Sequence, residues 1–168
     1  MTTSTPPAAV QTRWLTDSEQ RAWRAYLRAS RLLEVALDRA LSPSGTQLSE
    51  YEVISMLSEA PGGRLRMSTL ADLVVQSRSR ITHTAARLEK RGWVVREACL
   101  DDRRGVELVL TEEGRAAVDL IATQHVDSVR SCLIDNLEPA EFLALGHAMQ
   151  KVRDALAEEG QASDAVGG

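Results

Sequence analysis

STLADLVVQSRSRITHTAARLEKRGWVVREACLDDRRGVELVL, residues 68–110, is the stretch on which the fold turns, because its apolar residues change period partway along. Ser68 can cap a brief helix that holds Leu70, Ala71 and Leu73. Ser77 or Ser79 can cap the next, in which Ile81, Ala85 and Leu88 fall at helical spacing until Gly92 supplies a stop. From Trp93 the period is two. Val94 opposes Val95, a polar tip runs from Asp101 to Arg104, and Val106 to Leu110 alternates again, which predicts a hairpin. Two short helices across a tight turn, followed at once by a hairpin, are the sequence form of a winged helix-turn-helix, in which the second helix enters a major groove.

On both sides of this stretch the chain reads as helical. Upstream, Thr16-x-x-Glu19 has capping-box spacing and opens a long amphipathic helix with Trp23, Tyr26, Leu27, Leu33, Leu37 and Leu41 on its stripe. Ser42-Pro43-Ser44-Gly45 breaks that helix. Ser49-x-x-Glu52 reads as a second capping box for a helix through Leu57, and Pro61-Gly62-Gly63 ends it. Arg64 to Met67 alternates as a short extended piece. Downstream, Thr111 caps a long helix whose first turn carries Glu112 and Glu113, where the helix dipole favours acids; Val118, Ile121, Ala122, Val126, Val129 and Leu133 form its stripe. Pro139 starts a last helix, with Phe142, Leu145, Met149, Val152 and Leu156 at helical spacing. The predicted organisation is a flexible tail over 1–15, a dimerisation helix over 16–47, a DNA-binding lobe over 48–110, C-terminal dimerisation helices over 111–158 and a flexible tail over 159–168. The fold class is mainly α (α+β): a winged helix-turn-helix whose long N- and C-terminal helices form a dimerisation platform.

Composition narrows the function. With 168 residues, 43% apolar and 26% charged, the chain is an ordinary globular sequence able to bury a core. Its net charge of −4 is segregated: ten Lys and Arg face five Asp and Glu between Arg64 and Arg104, against ten and nineteen elsewhere. Residues 1–10 lack the basic region and apolar run of a secretory signal, and no window approaches the roughly 18–20 apolar residues of a bilayer span, so a cytoplasmic protein without membrane contact is expected. Cys99 and Cys132 lie too far apart to suggest a metal or redox pair. Cys99, near Arg96, is expected to be the more reactive thiol, and Cys132, on an apolar stripe, to be core. His83, His125 and His147 are dispersed, with no ligand spacing, so no metal or cofactor is expected; His125 reads as a packed histidine. No Gly-rich phosphate loop, Gly-x-Ser-x-Gly elbow or paired catalytic carboxylates appear, which argues against an enzyme.

The core-facing set of the second helix leaves Ser77, Arg78, Ser79, Arg80, Thr82, His83, Thr84 and Arg87 facing elsewhere. Arginine can bridge guanine edges or phosphates, and hydroxyls can serve either. A merely solvated basic face would show the same residues; the adjoining hairpin favours DNA.

Three segments, Arg64 to Ala71, Arg87 to Val94 and Asp101 to Gly114, together resemble the MarR family of bacterial regulators. Asp102 and Arg104 match the family's wing signature of an acid, any residue and an arginine. The resemblance implies that Arg104 enters the minor groove and Asp102 helps to hold the wing, with Arg103 as a neighbouring contact. The physics agrees, since a guanidinium on a thin hairpin can reach a narrow groove whose negative potential attracts it. The resemblance also implies a dimer formed by the terminal helices, whose apolar stripes exceed what a lone winged helix could cover. A two-fold dimer would set two reading helices about 34 Å apart on a near-palindromic site. A further implication is a small aromatic or phenolic ligand that releases DNA, with Trp14, Trp23, Tyr26 and Tyr51 as candidate pocket residues; plain core is the competing reading of these aromatics. The expected function is a homodimeric, sequence-specific repressor that binds double-stranded DNA. The alternatives are a winged helix used as a protein-interaction module and a non-specific architectural DNA-binding protein.

Overall fold

The computed structural model describes residues 12–99 and 105–166, with side chains as far as Glu158. Its elements are α1 (Asp17–Leu41), α2 (Leu48–Glu59), β1 (Arg64–Arg66), α3 (Met67–Leu73), α4 (Arg78–Lys90), β2 (Val94–Ala98), β3 (Val106–Leu110), α5 (Glu112–Cys132) and α6 (Pro139–Val166). The order is the one predicted, and the mainly helical architecture with a small antiparallel sheet is the expected fold class. No helix among the described residues is long and apolar enough to cross a membrane.

The chain divides into two compact units, Met1–Leu32 and Leu33–Gly168. In the first, the predicted capping box is formed: the Thr16 N–H donates to the Glu19 carboxylate at 2.7 Å, and the Glu19 N–H donates to the Thr16 hydroxyl at 3.3 Å. The backbone donor of Thr16 and then its hydroxyl hold the Glu19 carboxyl below its ordinary range. Further along, the rings of Trp23 and Tyr26 stack with centroids 5.9 Å apart, both exposed.

The second unit holds the core. Leu41, Tyr51, Val53, Ile54 and Leu57 pack with Leu70 and Ala71 of α3, Ile81, Ala85 and Leu88 of α4, and Ala117, Val118 and Ile121 of α5. Val94, Leu108 and Leu110 bring the sheet into the same cluster. Strand order is β1-β3-β2, all antiparallel, with Leu65 opposite Leu108 and Val94 opposite Leu110. This sheet ties the hairpin to the strand that precedes α3, so the wing is fixed to the helix pair.

The passage from β3 into α5 is tight. The Thr111 N–H donates to the Trp93 carbonyl at 3.0 Å, and its hydroxyl donates to the Gly92 carbonyl at 2.7 Å while accepting from the Gly114 N–H at 3.0 Å. Thr111 is therefore the predicted cap of α5 and also a clamp on the start of β2. The backbones approach so closely that a Cβ on Gly114 would lie 2.0 Å from the Trp93 carbonyl oxygen, so only glycine fits.

Several local expectations need correction. The second helix begins at Leu48, not after Ser49, and its box is Gln47 with Glu50: the Gln47 N–H donates to the Glu50 carboxylate at 3.0 Å. Asp38 accepts from the Leu48 N–H at 2.8 Å, so both early orphan donors are satisfied upstream of Ser49. The third helix begins at Met67, directly out of β1, which places Ser68 inside its first turn instead of at the cap. The two cysteines exchange roles. Cys99 is buried, its N–H bonded to the Gly105 carbonyl at the tip end of the hairpin, whereas Cys132 ends α5 exposed. The last helix runs on to Val166, beyond the apolar spacing that ends at Leu156.

Candidate nucleic-acid interface

The α3-turn-α4 unit is shaped by one cap and one strained residue. Ser77 has extended backbone and its hydroxyl accepts from the Arg80 N–H at 3.2 Å, so Ser77 is the cap and Ser79 lies within the first turn. The turn before it places Val75 at φ +51°, with its side chain 91% exposed. A β-branched residue rarely takes that conformation. The core then fixes which way α4 faces. Ile81, Ala85 and Leu88 are buried as predicted, and Ser77, Arg78, Ser79, Arg80, Thr82 and His83 are all exposed.

Thr84 is not on that exposed face. It is 1% exposed, because position 84 lies three residues after Ile81 and four before Leu88 on the same side of the helix. Its hydroxyl accepts from the Arg87 Nη2 at 3.4 Å, which provides for the buried oxygen. The predicted groove residue Thr84 is therefore a core residue.

The cations divide into two groups. Arg78, Arg80 and Lys90 have no carboxylate within ion-pair distance among the described residues. Arg80 does lie near enough to Glu52 to draw that carboxyl down, against burial and then Glu34, which push it up more strongly. Arg64, Arg87, Arg91 and Arg96 are instead engaged within the protein. Arg64 bridges Glu97 at 2.9 Å and Glu107 at 3.4 Å, one on each hairpin strand. Arg96 of β2 reaches α4, donating to the Thr82 carbonyl at 3.0 Å and pairing with Glu89 at 3.3 Å, so it locks the wing to the helix. Arg87 donates through Nε to Glu50 at 2.8 Å and through Nη2 to Gln47 at 2.9 Å. Arg91 meets the other Glu50 oxygen at 3.5 Å and the Gly45 carbonyl at 3.0 Å, and its guanidinium lies 3.6 Å from the Trp93 ring centroid.

Glu50, Arg91 and Arg96 carry structural roles that sequence reading counted only as charge. Their ion-pair partners lie between 7 and 41 residues away, and no local spacing announces them. Asp102, Arg103 and Arg104 lie outside the described residues.

Of the aromatic candidates, Trp14, Trp23 and Tyr26 are exposed, whereas Tyr51 is buried in α2 with its ring 4.5 Å from that of His125 on α5. Burial pushes the Tyr51 phenol up and the His125 imidazole down from their ordinary values. Among the described residues the buried His125 Nδ1 has no hydrogen-bond partner, so the neutral ring is favoured. This is the packed histidine expected from its place on the stripe.

A helix pair with one exposed, partly basic face, braced by a three-stranded wing, defines a winged helix-turn-helix. Residues 44–105 match the family model described as MarR family. AbsC, a MarR family transcriptional regulator from Streptomyces coelicolor, is 44% identical and superposes with a TM-score of 0.81 over 87% of this chain and 99% of that one. Sco3205 from the same organism, a MarR family regulator solved in complex with DNA, is 43% identical with a TM-score of 0.83 over 88% and 93%. The regulator PecS of Dickeya dadantii (strain 3937) is 31% identical over 108 residues, 63% of this chain and 64% of PecS, so the chain spans somewhat under two thirds of that relative. The chain belongs to the MarR family, and it is a transcriptional regulator and not an enzyme.

Proposed function

We propose that this chain is a homodimeric, sequence-specific DNA-binding repressor that acts in the cytoplasm by covering near-palindromic promoter sites. The observation that carries the reading is the N-terminal half of α4, where Arg78, Ser79, Arg80, Thr82 and His83 are exposed together at the positive end of the helix dipole. Arg78 and Arg80 suit phosphates or guanine edges, and Ser79 and Thr82 can serve either. Arg104 is assigned to the minor groove, beside Asp102 and Arg103. The solved DNA complex of Sco3205 supports the reading.

The dimer rests on exposed apolar residues that water would otherwise cover: Leu32 and Val35 on α1, Leu120 and Val126 on α5, and Leu143, Val152 and Leu156 on α6 are each half exposed or more. A small aromatic ligand that releases DNA belongs to the same proposal. The stacked, exposed pair of Trp23 and Tyr26 supports it, and quenching of tryptophan fluorescence on titration of aromatic acids would test it.

Titrating duplex DNA at several salt concentrations tests the main reading. Log affinity should fall linearly with log salt, with a slope of about −0.9 per phosphate contacted. Arg78→Ala and Arg80→Ala should each flatten the slope by about 0.9 for every phosphate lost. Failure to bind any duplex would favour a protein-interaction module, and equal affinity for all sequences an architectural role.

A further inference from the structure

Glu50 does more than cap α2. Its side chain is only 5% exposed, and its two oxygens meet Arg87 at 2.8 Å and Arg91 at 3.5 Å, with the Gln47 N–H at 3.0 Å. A carboxylate buried to this extent is tolerable only if it is paired and hydrogen-bonded. Arg87 lies in the last turn of α4 and Arg91 caps its C-terminus one turn on, while the N-terminal half of the same helix presents Arg78 and Arg80 without such partners among the described residues.

We propose that Glu50 is a specificity-determining residue, which withholds Arg87 and Arg91 from the DNA backbone so that the reading head grips duplexes of arbitrary sequence only weakly. The proposal rests on α4 being the reading helix. Phosphate neutralisation supplies essentially all of non-specific affinity, and every cation left free raises affinity for right and wrong sequences alike. Arg87 commits its Nε to Glu50 and an Nη to Gln47 and Thr84; Arg91 is committed to Glu50, the Ser44 and Gly45 carbonyls and the Trp93 face. Of the α4 cations left without a carboxylate among the described residues, Arg78 and Arg80 lie at the end that carries the candidate base-reading side chains, and Lys90 alone lies at the other. Arg87, expected from sequence to touch DNA, acts in this account as a positioning residue that anchors α4 to α2.

The experiment measures affinity for a random-sequence duplex across a salt series with the full-length protein, for the wild type, Glu50→Gln, Arg87→Gln and Arg80→Gln. Glu50→Gln should bind random DNA more tightly than wild type, with a slope steeper by up to about 1.8 per protomer if both arginines reach phosphates. Arg87→Gln should leave the slope of the wild type unchanged, whereas Arg80→Gln should flatten it. A general loss of structure would instead lower affinity in every variant. The proposal is overturned if Arg87→Gln flattens the slope as Arg80→Gln does, or if Glu50→Gln melts cooperatively yet binds random DNA no better than wild type. Should Glu50→Gln fail to fold, the Arg87→Gln slope decides alone. A wild type that binds no duplex overturns the assignment of α4, and this proposal with it.

Discussion

Gly114→Ala sets two ordinary effects against each other at one atom. Alanine is the better helix former by about 1 kcal/mol, and Gly114 lies in the first turn of α5, so propensity alone predicts stabilisation. The added methyl, however, would sit 2.0 Å from the Trp93 carbonyl oxygen and 2.8 Å from Leu110 Cδ1. The oxygen belongs to the backbone that pairs with Thr111 and cannot swing aside as a side-chain tip could. Relieving the overlap means moving α5 off the start of β2. That costs about 1–3 kcal/mol of overpacking strain, and weakening the two Thr111 bonds to Gly92 and Trp93 costs about 0.5–1.5 kcal/mol each. Sterics win, with a net loss of about 1–5 kcal/mol, or roughly 2–20 °C in Tm for a domain of this size. Urea and thermal unfolding monitored by circular dichroism would measure it. The internal control is Gly146→Ala in α6, where the new methyl meets nothing within 4 Å and stability should rise by about 0.5–1 kcal/mol. A Gly114→Ala protein as stable as the wild type would refute the steric argument.

Val75→Gly should stabilise the protein by about 1 kcal/mol in chemical denaturation, since the left-handed conformation is costly for an L-residue and the exposed side chain gives up no burial; a loss of stability would show that this turn is not strained. For His125, whose folded pKa is depressed by burial, protonation favours the unfolded chain, so its contribution to stability is complete above about pH 6.5 and is lost as pH falls below that value. His125→Phe should therefore lose less stability than the wild type between neutral and mildly acidic pH; equal losses in urea midpoint would contradict this. Arg80→Ala should weaken operator binding and relax base preference by about 1–3 kcal/mol, and Arg104→Ala should weaken binding with the oligomer intact by sedimentation; unchanged affinity in either would remove that residue from the interface.

The periodicity of residues 68–110 carried the fold because period and punctuation agree there. Ile81, Ala85 and Leu88 mark one helix face, Gly92 ends it, and the switch to period two at Val94 can be satisfied only by a strand. Legibility failed where satisfaction is non-local. Ser49 and Glu52 have the better-known capping chemistry, yet Glu50 and Asp38 satisfy the donors two residues earlier, and Asp38 is ten residues upstream of its partner. Thr84 was misread because a hydroxyl looks solvent-bound, although its spacing from Ile81 and Leu88 already placed it inward. Cys99 is buried, although no stripe on its own strand reveals it, and Cys132 is exposed at the end of α5. Charge counting located the basic segment but could not separate Arg78 and Arg80 from Arg64, Arg87, Arg91 and Arg96, whose carboxylate partners come from other elements.

Selection of bound duplexes from a random pool by the full-length protein tests the central claim most directly. The account predicts one enriched inverted repeat, its half-sites about 10–10.5 base pairs apart centre to centre, as two α4 helices on a two-fold dimer require. A bound pool that shares no motif, or a single half-site with no second copy at fixed spacing, would contradict it.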